Sequence, residues 1–264
     1  MLFCMSDYQL RFGGINRLYG NIGSEIIQGA HICVIGIGGV GSWAAEALAR
    51  NGIGEITLID LDDICVTNIN RQIHALTHTV GLSKVDVMSD RIKAINPDCK
   101  VNVVEDFLTP DNLFDLLQPY FDYVIDAIDS VQVKTRLIAH CKRNKLPIIT
   151  IGGAGGKTDP TQIQICDLSQ TYQDPLLAKV RNQLRREHNF SRNVKRKFSI
   201  DAVFSTEQLV YPDQNGNICH QKPDNKGAIK LDCSGGFGST THVTATFAFF
   251  AVSKIIKKLI AKNQ

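Results

Sequence analysis

Five polar side chains in the first half of the chain have the types and order needed to handle a nucleoside phosphate: Asp60, Asn68, Arg71, Lys84 and Asp129. Asp60 ends a run of apolar residues, where a ribose hydroxyl needs an acceptor. Arg71, close behind Asn68, brings a guanidinium towards the phosphates. Hydride transfer has no general need of that charge, whereas expulsion of pyrophosphate does, because negative charge develops on the leaving group. Lys84 follows Gly81-Leu82-Ser83 at a predicted helix start, which puts an ammonium beside helix-terminal amides and suits a triphosphate. Asp126 and Asp129 close a second apolar run, where a carboxylate can hold Mg²⁺ through the hard oxygen ligands that ion prefers. Each residue also has a plainer reading. Arg71 fits a surface ion pair, Lys84 a solvated helix position, and Asp129 the cap of the following helix.

These residues need a scaffold, and the run from His31 to Asp60 supplies its first unit: strand, Gly-rich turn, helix, strand. Gly36, Gly38 and Gly41 match G-x-G-x-x-G, which permits a tight turn and a close approach of backbone to phosphate. The helix opening near Val40 aims its first amides at that anion. Further on, Val80–Ile95 reads as a helix with Val85, Met88, Ile92 and Ile95 on one face. Asn96-Pro97 stops it. Lys100–Val104 alternates as a strand, a short helix follows Pro110-Asp111, and Tyr123–Asp129 reads as a buried strand ending in acids. Val131–Asn144 reads as a helix, then Leu146 onward and Gln162–Leu168 as strands. The expected fold is α/β: a Rossmann-like, doubly wound, mostly parallel sheet with flanking helices and a basic C-terminal extension. Ligands of such sheets sit beyond the C-terminal strand ends, so Asp60 and Asp129 are expected to face one pocket. Gly152-Gly153-Ala154-Gly155-Gly156-Lys157-Thr158 looks like a phosphate loop, but the pattern requires Gly where the chain has Ile151, and no helix clearly follows. It reads as a tight turn.

At 264 residues the chain can bury a full core, and 44% hydrophobic with 21% charged residues is ordinary for a globular protein. A net charge of +3 does not identify a partner. The eight cysteines include no C-x-x-C pair and no signal peptide is visible, so free thiols in a reducing cytoplasm are expected. From Cys233 to Ser253 the chain carries no Asp, Glu, Lys or Arg. Its strongly apolar part, Val243–Val252, is short for a bilayer, so a buried terminal helix is favoured over a peripheral membrane role. The segment Lys179–Ser199 holds eight cations against Glu187 alone, a composition suited to phosphate contacts with RNA, or simply to a solvated helix and loop. Tyr172, His188 and Phe190 nearby could stack on unpaired bases. One domain over 1–264 is expected: a nucleotide-binding core (1–165), a basic region (166–235) and a C-terminal helix (236–264).

Arg17, Gly36–Ser42, the run from Leu58 to Gln72, Val80–Lys84 and Asp126–Ser130 resemble, as a set, the adenylating enzymes of the ubiquitin-activating type. The resemblance implies ATP-Mg²⁺ chemistry in a homodimer. It places Gly39 and Gly41 at the nucleotide, Asp60 on the ribose with Asp62 beside it, and Asn68, Arg71 and Lys84 on the phosphates. Asp129 would bind the metal, and Arg17 would reach into the partner subunit's site. Two departures separate the chain from the sulfur-carrier activators of that superfamily. It lacks their paired C-x-x-C zinc motifs, and it has Asp129-Ser130 where they often read Asp-Asn. The segments Arg11–Gly20, Arg71–Leu76, Ile125–Val131, Gly152–Gln164, Asp174–Lys179, Val203–Glu207 and Asp232–Ser239 are similar instead to the tRNA threonylcarbamoyladenosine dehydratase branch. That similarity implies adenylation and cyclisation of a modified adenosine beside the tRNA anticodon. The alternative is an adenylyltransferase that charges the C-terminus of a ubiquitin-like sulfur carrier. An NAD-dependent dehydrogenase and a non-catalytic RNA-binding protein are the rivals with different chemistry. Cys233, in a Gly/Ser-rich stretch, matches no need of an intramolecular cyclisation, and a cysteine desulfurase partner follows from family analogy alone.

Overall fold

The computed structural model describes residues 6–109, 112–117, 120–213, 217–220 and 237–262; Cys233 lies outside them. The chain opens with α1 (Asp7–Gly29), capped by the Ser6 hydroxyl, which accepts from the Gln9 amide, and kinked at Gly20 (φ 74°). Alternating units follow: β1 (His31–Ile35), α2 (Gly41–Arg50), β2 (Glu55–Ile59), α3 (Lys84–Ile95), β3 (Lys100–Val104) and α4 (Leu113–Leu116). Then come β4 (Tyr123–Asp126), α5 (Val131–Arg143), β5 (Ile148–Ile151), β6 (Ile163–Asp167), α6 (Pro175–Glu187) and β7 (Asp201–Ser205). A two-stranded ribbon, β8 (Tyr211–Pro212) with β9 (Ile218–Cys219), precedes α7 (Thr241–Lys262).

Seven strands form one sheet in the order β3-β2-β1-β4-β5-β7-β6, parallel throughout except that β6 runs antiparallel to β7. The chain leaves β1 towards β2 and β3 on one side and continues with β4 on the other. The β1–β4 gap is therefore the switch point where such sheets bind ligands. Alternate strand residues feed two cores. Ile32, Val34, Ile56, Leu58 and Ile125 pack under α2, α3 and α7, while Cys33, Ile35, Ile59 and Val124 pack under α5 and α6. Glu46 of α2, nearly fully buried, takes Arg50 at 2.7 Å and Arg91 of α3 at 2.6 Å, so it locks the two helices together.

The C-terminal apolar run is a core helix. Val243, Phe247, Ala251, Ile255 and Leu259 make a stripe at four-residue spacing that packs on α2 and α1. Among the described residues, no helix is long and apolar enough to cross a membrane.

Several boundaries shift. The helix expected from Val80 begins at Lys84. Gly81 adopts φ 86°, its amide donates to the Ile64 carbonyl, and the Ile64 amide donates to the Leu82 carbonyl, so residues 81–83 pair with the loop instead of coiling. The strand expected to reach Asp129 ends at Asp126, because the Asp126 carboxylate turns back to accept from the Ile128 amide at 3.2 Å. The Gly152–Thr158 loop leads into a 3₁₀ turn at Pro160–Gln162 and then β6, with no helix at its end. Strand β6 spans position 165, and β7 lies beyond it, so residues after the first 165 complete the main sheet.

Candidate nucleotide site

The Gly-rich turn sits between β1 and α2. Gly36 has φ 87°, and a Cβ there would stand 3.0 Å from the Ala127 carbonyl oxygen; at Gly41 it would lie 1.8 Å from the Gly36 oxygen. Only glycine fits either position. Gly38 is different: its nearest neighbour would be Gln72 Nε2 at 4.0 Å. Among the described residues no side chain caps the start of α2; the Ser42 amide donates to the Gly38 carbonyl at 3.1 Å, and the helix N-terminus opens onto the turn.

Asp60 follows β2 directly. Its Oδ2 accepts from the Ile37 amide at 2.5 Å and its Oδ1 from the Asp62 amide at 2.9 Å. The acid thus holds the Gly turn in shape, and a carboxylate retains lone pairs for a further donor. Asp62 Oδ2 pairs with Lys84 Nζ at 2.7 Å. The Lys84 side chain is 7% exposed and Asp62 is open to solvent, so the pair forms a charged wall at the start of α3.

Asn68 is buried, and its Oδ1 accepts from the Cys65 amide at 3.0 Å, closing the 3₁₀ turn Val66–Asn68 that presents Arg71. Arg71 runs past Gly39, where a Cβ would meet its Cγ at 3.4 Å and Cδ at 3.5 Å. Its Nη1 donates to the Thr67 carbonyl at 2.8 Å and to Asn70 Oδ1 at 3.1 Å. Trp43 Nε1 donates to the Arg71 carbonyl at 3.0 Å, and Thr241 Oγ1 donates to the Asn70 carbonyl at 2.5 Å. The C-terminal helix therefore clamps the loop that carries Arg71, across more than 170 positions of chain. Sequence reasoning missed this, because no local pattern links α7 to residue 71.

Asp129 lies exposed in the loop past the end of β4, the strand that adjoins β1. The structure corrects Asp126 as a candidate metal ligand. It is fully buried and pairs with Lys134 Nζ at 2.8 Å, and its Oδ2 accepts from Thr150 Oγ1 at 2.6 Å. Lys134 was also missed, because a lysine on a helix reads as solvated; here Nζ also donates to the Asp126 carbonyl at 3.2 Å and Thr150 Oγ1 at 3.1 Å. The pair ties β4, β5 and α5 together directly behind the segment that leads to Asp129. Asp174 plays a similar part at α6. Its carboxylate accepts from the Gly153 and Leu177 amides, both at 2.9 Å, and burial raises its pKa. A Cβ on Gly152 would fall 2.1 Å from that carboxylate. Arg17 stands apart, exposed on α1 with its guanidinium beside Gly13.

The residues present fit a nucleotide. Ser42 Oγ at the start of α2 and Gln72 Oε1 beside Gly38 are buried with no partner among the described residues, polar atoms that an incoming ligand or water would satisfy. No group of three His, Cys, Asp or Glu residues suited to a metal occurs among the described residues. Mg²⁺ commonly needs only one or two carboxylates when phosphates complete its shell, and Asp129 fits that part.

The basic segment divides. Arg181 bonds Thr171 Oγ1, Arg185 lies 5.3 Å over the Phe198 ring, and Arg186 pairs with Glu187 at 2.7 Å. Lys179, Arg192, Lys195, Arg196 and Lys197 are exposed, with no ion pair among the described residues. Phe190 packs edge-on against Phe198, so it is a wall residue; Tyr172 is 51% exposed.

A Gly turn at the sheet's switch point, an acid at the end of β2 and cations on the next loop and helix define a Rossmann-like nucleotide-binding protein. The chain belongs to the ThiF family, whose model matches residues 14–264. It is 59% identical over 259 residues to the tRNA threonylcarbamoyladenosine dehydratase of Haemophilus influenzae, covering 98% of this chain and 97% of that one. Crystal structures of E. coli tRNA N6-threonylcarbamoyladenosine dehydratase align with a TM-score of 0.87. The complex with ATP shares 55% identity over 98% of this chain and 97% of that one, and the complex with AMP 54% over 100% and 99%. The molybdopterin-synthase adenylyltransferase of Haemophilus influenzae matches more distantly, at 29% identity over 48% of this chain and 52% of that one.

Proposed function

We propose that this chain is an ATP-dependent dehydratase that cyclises N6-threonylcarbamoyladenosine in tRNA through a carboxyl adenylate. The observation that carries the reading is the gathering of the Gly turn, Asp60, Arg71 and the Asp62–Lys84 pair at one end of the sheet, in a chain 59% identical to a dehydratase along nearly its whole length. The free carboxylate of the threonyl group attacks the α-phosphorus of ATP and pyrophosphate departs, leaving an acyl-adenylate. A nucleophilic atom of the adjacent ureido group then attacks the activated carbonyl; it loses its proton, the ring closes and AMP leaves. The net change is loss of one water, and ring closure is intramolecular, so positioning supplies much of the acceleration.

The chain's own groups divide this work. The α2 amides and the Gly turn cradle the phosphates. Asp60 receives the ribose. Arg71, Lys84 and Asn68 face the charge that develops as pyrophosphate leaves. Asp129 would hold Mg²⁺, which when bound neutralises phosphate charge. Arg17 would enter the site of a second copy, in a homodimer. The exposed apolar residues of its helix, Leu10, Leu18 and Ile22 at 66%, 71% and 65% exposure, favour such a pairing. The buried thiols Cys33, Cys99 and Cys141 suit a reducing cytoplasm.

The sulfur-carrier adenylyltransferase is the weaker alternative: its relatives match under half of this chain, and the paired cysteines are missing. Nucleoside mass spectrometry of tRNA from a deletion strain tests the reading. The uncyclised adenosine derivative, heavier by one water (about 18 Da), is expected to accumulate and to disappear on complementation. Unchanged tRNA nucleosides would overturn it.

A further inference from the structure

A cavity of about 510 Å³ opens at the end of the sheet opposite the candidate nucleotide site, where β4, β5 and β7 begin. Lys142 in the last turn of α5, Lys145 just after that helix, and Lys258 and Lys262 at the end of α7 stand around it. Two acids lie near. Asp122 accepts from the His31 amide at 3.0 Å, and Asp201 pairs with Lys258 at 2.5 Å and Lys254 at 3.8 Å. That leaves Lys142, Lys145 and Lys262 with no carboxylate in ion-pair range among the described residues. The exposed cations Arg192, Lys195, Arg196 and Lys197 lead directly into Ser199 and Ile200 of the cavity wall. This wall is built, not loose: Asp167 accepts from the Phe198, Ser199 and Ile200 amides at 2.8, 2.7 and 3.3 Å.

Backbone geometry supplies an independent observation. Of four described non-glycine residues with left-handed φ, two line this cavity: Lys145 (φ 57°) and Ser199 (φ 58°). Glycine or asparagine would occupy the position after α5 at lower cost. Lys145 is the left-handed residue that ends α5, where the Leu146 amide donates to the Cys141 carbonyl at 2.9 Å, and a lysine in that fixed turn carries its ammonium at the rim.

We infer that this lysine-rimmed cavity binds the phosphodiester backbone of the RNA substrate, away from the reacting base. The inference rests on the tRNA reading proposed above. Point charges without fixed partners, beside an apolar floor of Leu146, Pro147 and Ile148, suit a phosphate with its sugar and carry no sequence preference. Lying at the strand ends opposite the nucleotide site, the cavity contributes binding common to ground and transition state. Its loss raises KM for tRNA and leaves kcat alone.

The test is the triple variant Lys142→Ala, Lys145→Asn, Lys262→Ala of the full chain. All three residues are exposed and have no ion pair among the described residues, and asparagine tolerates the left-handed backbone. Binding of full-length tRNA is expected to weaken by about tenfold or more at 0.1 M salt, and the salt slope to fall by about three, one for each lysine. ATP affinity and kcat at saturating tRNA are expected to stay at wild-type values, and Lys93→Ala, a charge removed from α3, to leave tRNA affinity unchanged. Wild-type tRNA affinity in the triple variant would overturn the inference. So would a loss of binding to an acidic protein, or to inorganic phosphate alone, with tRNA binding intact. If tRNA binding falls as expected but the wild-type protein consumes no ATP on tRNA, the dehydratase reading fails and the cavity stands.

Discussion

Lys134 places an ammonium where a lone charge costs several kcal/mol, and it persists because the Asp126 carboxylate and Thr150 hydroxyl meet it there. Lys134→Met strands a buried carboxylate, so urea denaturation is expected to show a loss of about 3–5 kcal/mol, with much of it recovered when Asp126→Leu is added. Arg71 and Asp129 are different. Both reach solvent, and neither holds the core. Arg71→Ala and Asp129→Ala are each expected to lower tRNA-dependent ATP turnover by about 10²–10³-fold, with a melting temperature close to wild type. His74 lies buried on the loop behind Arg71, with neither ring nitrogen bonded among the described residues. Burial, with Lys84 and Arg91 close by, lowers its pKa from 6.5 to about 4. The folded state therefore binds fewer protons than the unfolded chain between those values. Its contribution to stability is complete above about pH 6.5 and lost as the pH falls towards 4, by up to about 3 kcal/mol. Denaturation midpoints across that window are expected to flatten in His74→Phe.

At the scale of elements, the Gly turn separates required from permissive glycines. Gly41→Ala drives a methyl into the Gly36 carbonyl, so ATP titration is expected to show binding abolished and the melting temperature to fall; Gly38→Ala, with no described atom of the chain nearer than 4.0 Å, is expected to keep the wild-type melting temperature and to weaken ATP binding only through the nucleotide's own approach to the turn. The Arg71 loop depends on two remote elements, Trp43 of α2 and Thr241 of α7. Helix starts were legible where local signals mark them, as near Val40 behind the Gly turn and at Val131 behind the acidic strand end. They were not at α3, where a loop pairing with Asp63 and Ile64 claims residues 81–83.

For the whole molecule, the proposed homodimer has a stoichiometric consequence. If Arg17 serves the partner's site, Arg17→Ala and Arg71→Ala subunits are each inactive alone. A mixed dimer retains one intact site, so co-expression is expected to restore turnover, while no recovery would remove Arg17 from the partner's site. Much of this protein was legible in the chain alone. Strand-helix alternation, the spacing of Gly36 and Gly41, and the order Asp60, Asn68, Arg71, Lys84 carry fold and ligand class, because periodicity and tight turns are set by neighbours in sequence. The Asp126–Lys134 pair, the clamp of α7 on the Arg71 loop and the lysine-rimmed cavity came only from the folded chain. Each is made by residues from different elements, and whether a charge is buried or solvated is decided by what packs over it, which no local pattern encodes.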